Sequence, residues 1–272
     1  MTLLVSWIGV DQRGPASLYL MSDSRISWKG STQLETWDFG KKVFPFRNSP
    51  DIIGYCGDVL FATMAISHIV ELADSGFLFD NIFDAGKKFK RLRYKVIELF
   101  TSYPERYLSK SISILFGSRV NPRKFVCYEL SWSADEGWKD NSISYSQYSD
   151  KLFVLGSGAR EFNEKYKIYQ ESSIKRTSRL IFQCFCSTLA NTHDTSIGGA
   201  PQVVGLYRIK NAVNYGVVYK NSRFCSGVPV DNLGGLESVE WRNELFERVN
   251  GESKEIIPGA QKQPDPTQKT SL

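Results

Sequence analysis

Residues 2–25 read TLLVSWIGVDQRGPASLYLMSDSR, and the fold prediction starts from this stretch. Apolar residues alternate with others from Leu3 to Trp7, which is the period of a β-strand. The glycine- and proline-containing segment 9–15 separates this strand from a second apolar run over 18–21. The two runs are therefore predicted to form a β-hairpin, with an antiparallel sheet beginning at the first residues of the chain.

Downstream, runs of strands alternate with runs of helices. We predict a hairpin over 42–56, helices over 60–76 and 82–102, strands over 111–116, 124–130 and 151–155, one helix ending near 191, a hairpin over 202–219 and a short helix over 239–249. This grouping favours antiparallel sheets with helices outside over a parallel sheet built from βαβ units. We predict an α/β fold: a four-layer αββα sandwich of two antiparallel sheets flanked by helices.

Length and composition indicate a globular protein. The 272 residues are 42% hydrophobic and 23% charged, so we predict one globular domain over 1–250. Residues 251–272 are polar and contain proline, and we predict that they form a disordered tail. No stretch has the roughly 18 consecutive apolar residues of a spanning helix. The first residues also lack the features of a secretory signal, so we expect a cytoplasmic protein with no membrane partner.

The cysteines and histidines argue against metal and disulfide chemistry. Five cysteines without framework spacing indicate buried thiols in a reducing compartment. Only two histidines are present, without CxxC or HExxH motifs, so neither a metal site nor a cofactor is expected. His68 lies on the apolar face predicted for the first helix, and we expect it to be packed in the core.

Charge is concentrated in the predicted helix 82–102, although 34 basic and 29 acidic residues give a net charge of only +5. This balance is too mild to require a nucleic-acid partner. The cluster either binds phosphates, nucleic acid or an acidic partner, or is the solvated face of an amphipathic helix; we favour the second interpretation. Its members are Lys87, Lys88, Lys90, Arg91, Arg93 and Lys95.

Thr2 is a candidate nucleophile because it directly follows Met1. Removal of Met1 would leave a hydroxyl and a free α-amine on one residue. An α-amine has a pKa of about 7.7–8.0, so a useful fraction is neutral near pH 7 and can accept the hydroxyl proton. A threonine at this position is also explained by an ordinary strand, so the prediction depends on the sequence that follows.

Five short motifs follow Thr2 in order, each on a suitable predicted element. They are Ser22-Asp23-Ser24-Arg25, Gly40-Lys41-Lys42-Val43, Tyr55-Cys56-Gly57-Asp58, Gly156-Ser157-Gly158, and Asp194 followed by Gly198-Gly199. In this order the sequence resembles the proteasome β-subunit and HslV family of N-terminal-nucleophile hydrolases. The resemblance covers about residues 2–60 and 150–220.

The resemblance implies an N-terminal threonine hydrolase, most simply a proteasome-like peptidase. Thr2 would attack after removal of Met1, with its own α-amine as the base. Lys42 would favour the alkoxide and lower the pKa of the amine, with Asp23 as its counter-ion. The backbone N–H of Gly57 would stabilise the oxyanion, which is worth roughly 3–4 kcal/mol. Two further residues are implied to orient the α-amine: Ser157 and Asp194.

Structural explanations exist for the same residues. Asp23 and Arg25 could form a surface ion pair, Lys42 could be a solvated charge on an edge strand, and Gly57 could be only a tight turn into a helix. An edge or cleft lysine adds little packing, so we expect its truncation to leave stability nearly unchanged. The alternative function is a catalytically silent, proteasome-like scaffold or interaction subunit.

The resemblance also implies partners, and the sequence departs from the family at one point. Peptide or protein substrates and a closed homo-oligomeric ring are implied, and a separate unfoldase or regulatory partner stays open. Where the family commonly has a serine just before the two glycines, this chain has Ile197, with Ser196 one residue earlier. The serine hydroxyl that the family places beside the other residues that orient the α-amine is therefore in question in this chain.

Overall fold

The computed structural model describes residues 2–107, 111–145, 147–231 and 234–262. The helices are α1 (Val59–Asp74), α2 (Ala85–Thr101), α3 (Ala159–Tyr169) and α4 (Ser178–Asn191). The strands are β1 (Leu4–Asp11), β2 (Gly14–Ser22), β3 (Ile26–Lys29), β4 (Leu34–Trp37), β5 (Val43–Pro45), β6 (Asp51–Gly57), β7 (Ser111–Asn121), β8 (Lys124–Ser133), β9 (Gly137–Ser142), β10 (Asp150–Leu155), β11 (Gln202–Tyr207), β12 (Val213–Tyr219), β13 (Ser222–Cys225), β14 (Val228–Pro229), β15 (Glu240–Arg242) and β16 (Arg248–Val249). In the described ranges, no helix is long and apolar enough to cross a membrane.

Two sheets carry the fold. The larger one has the order β10-β1-β2-β11-β12-β13-β14, and β15 joins it beside β12, with β16 paired to β15. The smaller one runs β5-β6-β7-β8-β9 in chain order, and β3 and β4 form a separate hairpin. Of the strand pairs described, β12 with β15 is parallel and the others are antiparallel.

Three clusters of buried side chains define four layers. One cluster lies between α3–α4 and the larger sheet, and includes Trp7 and Phe182. A second lies between α1–α2 and the smaller sheet, and includes Phe61 and Phe116. The third joins the two sheets, through residues such as Leu4, Ile52 and Leu115. The predicted αββα sandwich of antiparallel sheets is therefore confirmed.

The first strand is buried on both faces, which fixes its position at the centre of the sandwich. Trp7 contributes to the helix-side core, whereas Leu4 and Ile8 contribute to the core between the sheets. Even Ser6 is fully buried, and its Oγ accepts the N–H of Phe153 at 3.0 Å. Strand β1 therefore lies between two apolar layers.

The helices begin at side-chain caps. The carboxylates of Asp58 and Asp84 accept N–H groups in the first turns of α1 and α2, at 2.7 and 2.8 Å. The buried face of α1 includes Phe61, Ala65 and Ile69, so the expectation that His68 packs in the core is wrong: His68 is exposed. The apolar stripe read from the sequence is wider than the face that contacts the sheet.

The basic cluster on α2 is not a uniform solvated face. Lys88 is buried, and its Nζ lies 2.6 Å from Oδ2 of the fully buried Asp51 in β6. Arg93 instead makes a partly exposed pair with Asp140, at 2.9 Å. One member of the cluster therefore ties α2 to the smaller sheet, while others, such as Arg91, are exposed.

The C-terminal region differs most from the sequence prediction. The helix predicted over 239–249 is wrong, because β15 and β16 occupy this segment and β15 extends the larger sheet beside β12. In the predicted tail, the backbone N–H of Ile257 donates to Arg248 O at 3.1 Å, and Gln261 O accepts from Arg179 at 2.6 Å. Residues 263–272 of that tail lie outside the described residues.

Candidate active site

The site is built where β1 begins and β2 ends. Leu3, the residue after Thr2, exchanges two hydrogen bonds with Asp23: its N–H donates to Asp23 Oδ1 at 3.1 Å, and its carbonyl accepts the Asp23 N–H at 3.3 Å. The β1–β2 hairpin predicted from the sequence is confirmed, and its pairing aligns Leu4 with Ser22. Asp23 is thereby fixed beside the start of β1.

Asp23 is fully buried and accepts hydrogen bonds through both carboxylate oxygens. Oδ1 accepts from Lys42 Nζ at 2.9 Å as well as from Leu3, so one oxygen bridges an ammonium to the residue after Thr2. Oδ2 accepts the N–H groups of Arg25 and Gly198, at 3.2 and 3.1 Å. A carboxylate can be buried only when it is paired and hydrogen-bonded in this way.

Lys42 is also fully buried, so the interpretation as a solvated edge-strand charge is wrong. Its ammonium donates to Asp23 and, at 2.5 Å, to the carbonyl of Arg25. The surface ion pair between Asp23 and Arg25 is also wrong, because the Arg25 guanidinium binds both oxygens of Asp38, at 2.6 and 2.8 Å. Lys42 is therefore an interior charge whose removal leaves a buried carboxylate without its cation, and the expectation that its truncation leaves stability nearly unchanged does not hold.

The turn Gly156-Ser157-Gly158 lies directly against Thr2. The Gly158 N–H donates to Thr2 O at 3.4 Å. Gly156 has φ +92°, and a Cβ placed on it would lie 2.0 Å from the same oxygen, so only glycine fits. This close approach brings Ser157 next to the candidate nucleophile.

Ser157, Ser196 and Asp194 form one hydrogen-bonded group. Ser196 Oγ donates to Asp194 Oδ1 at 2.5 Å and lies 3.3 Å from Ser157 Oγ. Ser196 therefore brings a hydroxyl to Ser157 and Asp194, while Ile197 is buried in the core behind α4. Burial alone would raise the pKa of Asp194, but hydrogen bonds from Ser196 and Ser157 outweigh it and the pKa is lowered.

Gly57 ends β6, one residue before the Asp58 cap of α1. Its φ is +97°, and a Cβ would lie 2.3 Å from the carbonyl oxygen of Ser111. The residue is only partly buried. A tight turn into the helix is therefore present, and this turn carries the backbone N–H that the resemblance assigns to the oxyanion.

Cys56 precedes Gly57 and is the thiol nearest to this turn in sequence. Burial raises the pKa of Cys56 to about 12, so the group is a neutral thiol at physiological pH. Across the ranges described, no three His, Cys, Asp or Glu side chains come together as metal ligands. Hydroxyls, a lysine and carboxylates are the side-chain groups of the candidate site residues that the sequence singles out.

One contributor, Gln202, was missed from the sequence, and another, Arg25, has partners that the sequence did not indicate. Gln202 is fully buried and joins three segments: its Nε2 donates to Asp23 O and Gly40 O, at 3.1 and 2.7 Å, and its Oε1 accepts the Lys42 N–H at 3.0 Å. Arg25 donates to the carbonyl of Thr195 at 3.1 Å and so holds the Asp194 loop. The only sequence signal for Gln202 is a polar residue opening an apolar strand.

The buried pair predicts a specific pattern of stabilities. We expect Lys42→Met to lower the free energy of unfolding by about 3–5 kcal/mol, because Asp23 then stays buried without its cation. The double variant Asp23→Asn/Lys42→Met should regain part of this loss, since no uncompensated charge remains, but the single amide oxygen of Asn cannot accept all the N–H groups that meet the two oxygens of Asp23. Urea unfolding measures both. Lys41→Met, which removes the exposed neighbouring lysine, should cost less than about 1 kcal/mol; equal losses for the two lysines would contradict the pairing.

Asp194 predicts a pH dependence. Because its folded-state pKa is lowered, its carboxylate stabilises the fold above the unfolded pKa, and this stabilisation is lost as the pH falls through the folded value. The stability difference between the natural protein and Asp194→Asn should therefore be largest near pH 7 and shrink below about pH 4. Urea unfolding at a series of pH values tests this, with Asp135→Asn on an exposed turn as the charge control. A difference that grows on acidification would contradict the assignment.

Comparisons with known proteins agree with this architecture. No protein-family model matches the chain, and no curated protein matches it in sequence. Solved structures do match: Anbu (ancestral beta-subunit) from Yersinia bercovieri is 13% identical, over 78% of this chain and 86% of that one, with a TM-score of 0.52. The helical assembly of the Anbu complex from Pseudomonas aeruginosa is 12% identical, over 84% and 88%, with a TM-score of 0.56.

HslV from Trypanosoma brucei is 13% identical, over 75% of this chain and 99% of that one, with a lower TM-score of 0.45. At such identities a structural match establishes the fold and leaves the activity open. The two Anbu matches cover most of both chains. The chain has the proteasome-like fold of the N-terminal-nucleophile hydrolases.

Proposed function

We propose that this chain is an N-terminal threonine hydrolase, most simply a peptidase, that uses Thr2 after removal of Met1. The observation that carries the proposal is the shared oxygen of Asp23, which accepts from the buried Lys42 ammonium at 2.9 Å and from the N–H of Leu3 at 3.1 Å. A buried cation is thus tied to the residue that follows the candidate nucleophile. A charge held there is suited to favour a neighbouring alkoxide.

The proposed reaction begins with the free α-amine of Thr2 accepting the proton of its own hydroxyl. The Oγ1 atom attacks the carbonyl carbon of the substrate, and the positive charge of Lys42 favours the alkoxide. The Gly57 N–H donates to the oxyanion. The α-ammonium then gives its proton to the leaving amine as the C–N bond breaks, and an acyl ester on Thr2 remains. Water, deprotonated by the α-amine, attacks this ester; the acyl C–O bond breaks, the α-ammonium returns the proton to Thr2 Oγ1, and the acid is released.

The group of Ser157, Ser196 and Asp194 supports the orientation of the α-amine. The turn at Gly156 and Gly158 contacts the carbonyl of Thr2, which brings the segment that carries Ser157 against the candidate nucleophile. The lowered pKa of Asp194 keeps it ionised, and a carboxylate within such a group favours a protonated amine during the acyl-transfer step.

We also propose that the chain assembles with copies of itself. One structural match is a protein described as a helical assembly, and the resemblance in sequence implies a closed ring. The outer face of α1 leaves Leu60 57% and Met64 43% exposed, which suits a surface covered in an assembly. Peptide or protein substrates follow from the same proposal, which leaves a separate unfoldase or regulatory partner open.

The test compares Thr2→Ala with Thr2→Ser in the full chain. Both small residues permit removal of Met1, but only serine keeps a hydroxyl on the first residue. We expect hydrolysis of a fluorogenic peptide panel to fall by about 10³-fold or more in Thr2→Ala and to persist in Thr2→Ser. A peptide epoxyketone, which needs both the hydroxyl and the free amine, should add to the natural protein and not to Thr2→Ala.

Unchanged melting temperatures establish that both variants are folded. Hydrolysis or adduct formation that survives in Thr2→Ala would contradict Thr2 as the nucleophile. A natural protein with a free Thr2 amine but neither hydrolysis nor adduct would favour the catalytically silent scaffold instead.

A further inference from the structure

A cavity of about 200 Å³ lies at the opposite end of β1 from Thr2. It is bounded by the end of β1, the start of β2, the first turn of α4 and the C-terminal strands. Gly9, which lines it, follows Thr2 by seven residues, which at about 3.3 Å per residue is about 23 Å along the strand. The cavity is therefore separate from the candidate active site.

The lining of this cavity is strongly basic. Arg179, Arg242 and Arg248 line it together with a single acidic residue, Asp11. Both oxygens of Asp11 are already bound by Arg208, each at 2.7 Å, so this carboxylate does not neutralise the three guanidinium groups. Among the lining residues, positive charge thus exceeds negative charge, although two carboxylates outside the lining also face these arginines: Glu240 pairs with Arg242, and Glu247 interacts with Arg179.

Arg242 is the deepest of the three, with only 4% of its surface exposed. Its guanidinium lies over the rings of Tyr215 and Phe246, each at 5.3 Å, and Nη2 donates to Tyr207 Oη at 3.0 Å and to Glu240. Within the described residues, Nε and Nη1 have no hydrogen-bond partner. The two ring faces offset part of the free-energy cost of burying these N–H groups. The rings are not conventional hydrogen-bond acceptors, however, so the N–H groups stay without a hydrogen bond.

Arg179 adds a second positively charged group to the cavity, at the start of a helix. Arg179 lies in the first turn of α4, whose Thr177 cap accepts the N–H of Leu180 at 3.3 Å. The pKa of Arg179 is lowered, mainly because burial disfavours its charged form. The negative charge of Glu247 acts in the opposite direction, and the positive charge of Arg242 lowers the pKa further. Arg179 also donates one N–H to the carbonyl of Gln261. The positive end of a helix dipole and two neighbouring guanidinium groups therefore converge on the cavity.

We propose that this cavity binds the phosphate group of a small phosphorylated molecule through Arg179, Arg242 and Arg248. A phosphate ester carries close to two negative charges and several acceptor oxygens, which suits three guanidinium groups better than a single carboxylate does. The cavity is smaller than the roughly 300–1,000 Å³ typical of drug-sized ligands, so it takes the phosphate and a small adjoining group rather than a whole nucleotide.

The test titrates the full-length protein by calorimetry with inorganic phosphate and with glycerol 3-phosphate, at constant ionic strength set by chloride. We expect saturable binding of both probes at one site, and weaker binding of acetate. Arg179→Gln and Arg248→Gln should each raise the Kd by about tenfold or more, because a charge-assisted hydrogen bond is lost. The control is Arg160→Gln, which removes the same charge from an exposed position on α3 and should leave the Kd unchanged.

Melting temperatures without phosphate show whether the variants fold, and neither Arg179 nor Arg248 belongs to the buried core. The absence of saturable binding would overturn the proposal. So would an equal Kd in Arg179→Gln and Arg160→Gln, which would indicate a general effect of charge. Acetate binding as tightly as phosphate, or glycerol 3-phosphate failing to bind, would overturn the assignment to a phosphorylated molecule.

Discussion

The buried ion pair between Asp23 and Lys42 is the constraint on which the rest of the site depends. Both side chains are fully buried, so neither charge is tolerable unless the other is in place. Asp23 also accepts the N–H groups of Leu3 and Gly198, and thereby fixes the start of β1 against the loop that follows Asp194. The interaction that stabilises this part of the fold is the same one that would position a cation beside Thr2.

Local periodicity was sufficient to predict the layers, but not the short strands that extend the larger sheet or the width of the buried face of α1. The β1–β2 hairpin and α1 were predictable because their apolar residues follow strand and helix periods. The segment 239–249 was misread as a helix because two very short strands, paired to a distant β12, leave no periodic signal of their own. His68 was misplaced since the exposed face of α1 is also apolar.

For the candidate site, short motifs predicted the residues, and only the structure supplied their environment. Nothing in the sequence distinguishes an exposed lysine from the fully buried Lys42, because burial depends on the second sheet and on Gln202, some 160 positions away in the chain. The same holds for Arg25, whose partner is Asp38 rather than the adjacent carboxylate. Ser196 shows the converse: a hydroxyl displaced by one residue in sequence still reaches Asp194.

The central claim is that Thr2 becomes the N-terminal residue, because its α-amine cannot act as a base while it is part of a peptide bond. Intact-mass spectrometry combined with N-terminal sequencing of the purified protein measures this directly. We predict a mass lower than that of the full sequence by one methionine residue, and threonine in the first sequencing cycle. A protein that retains Met1 in full would contradict the claim and leave the scaffold as the function of this fold.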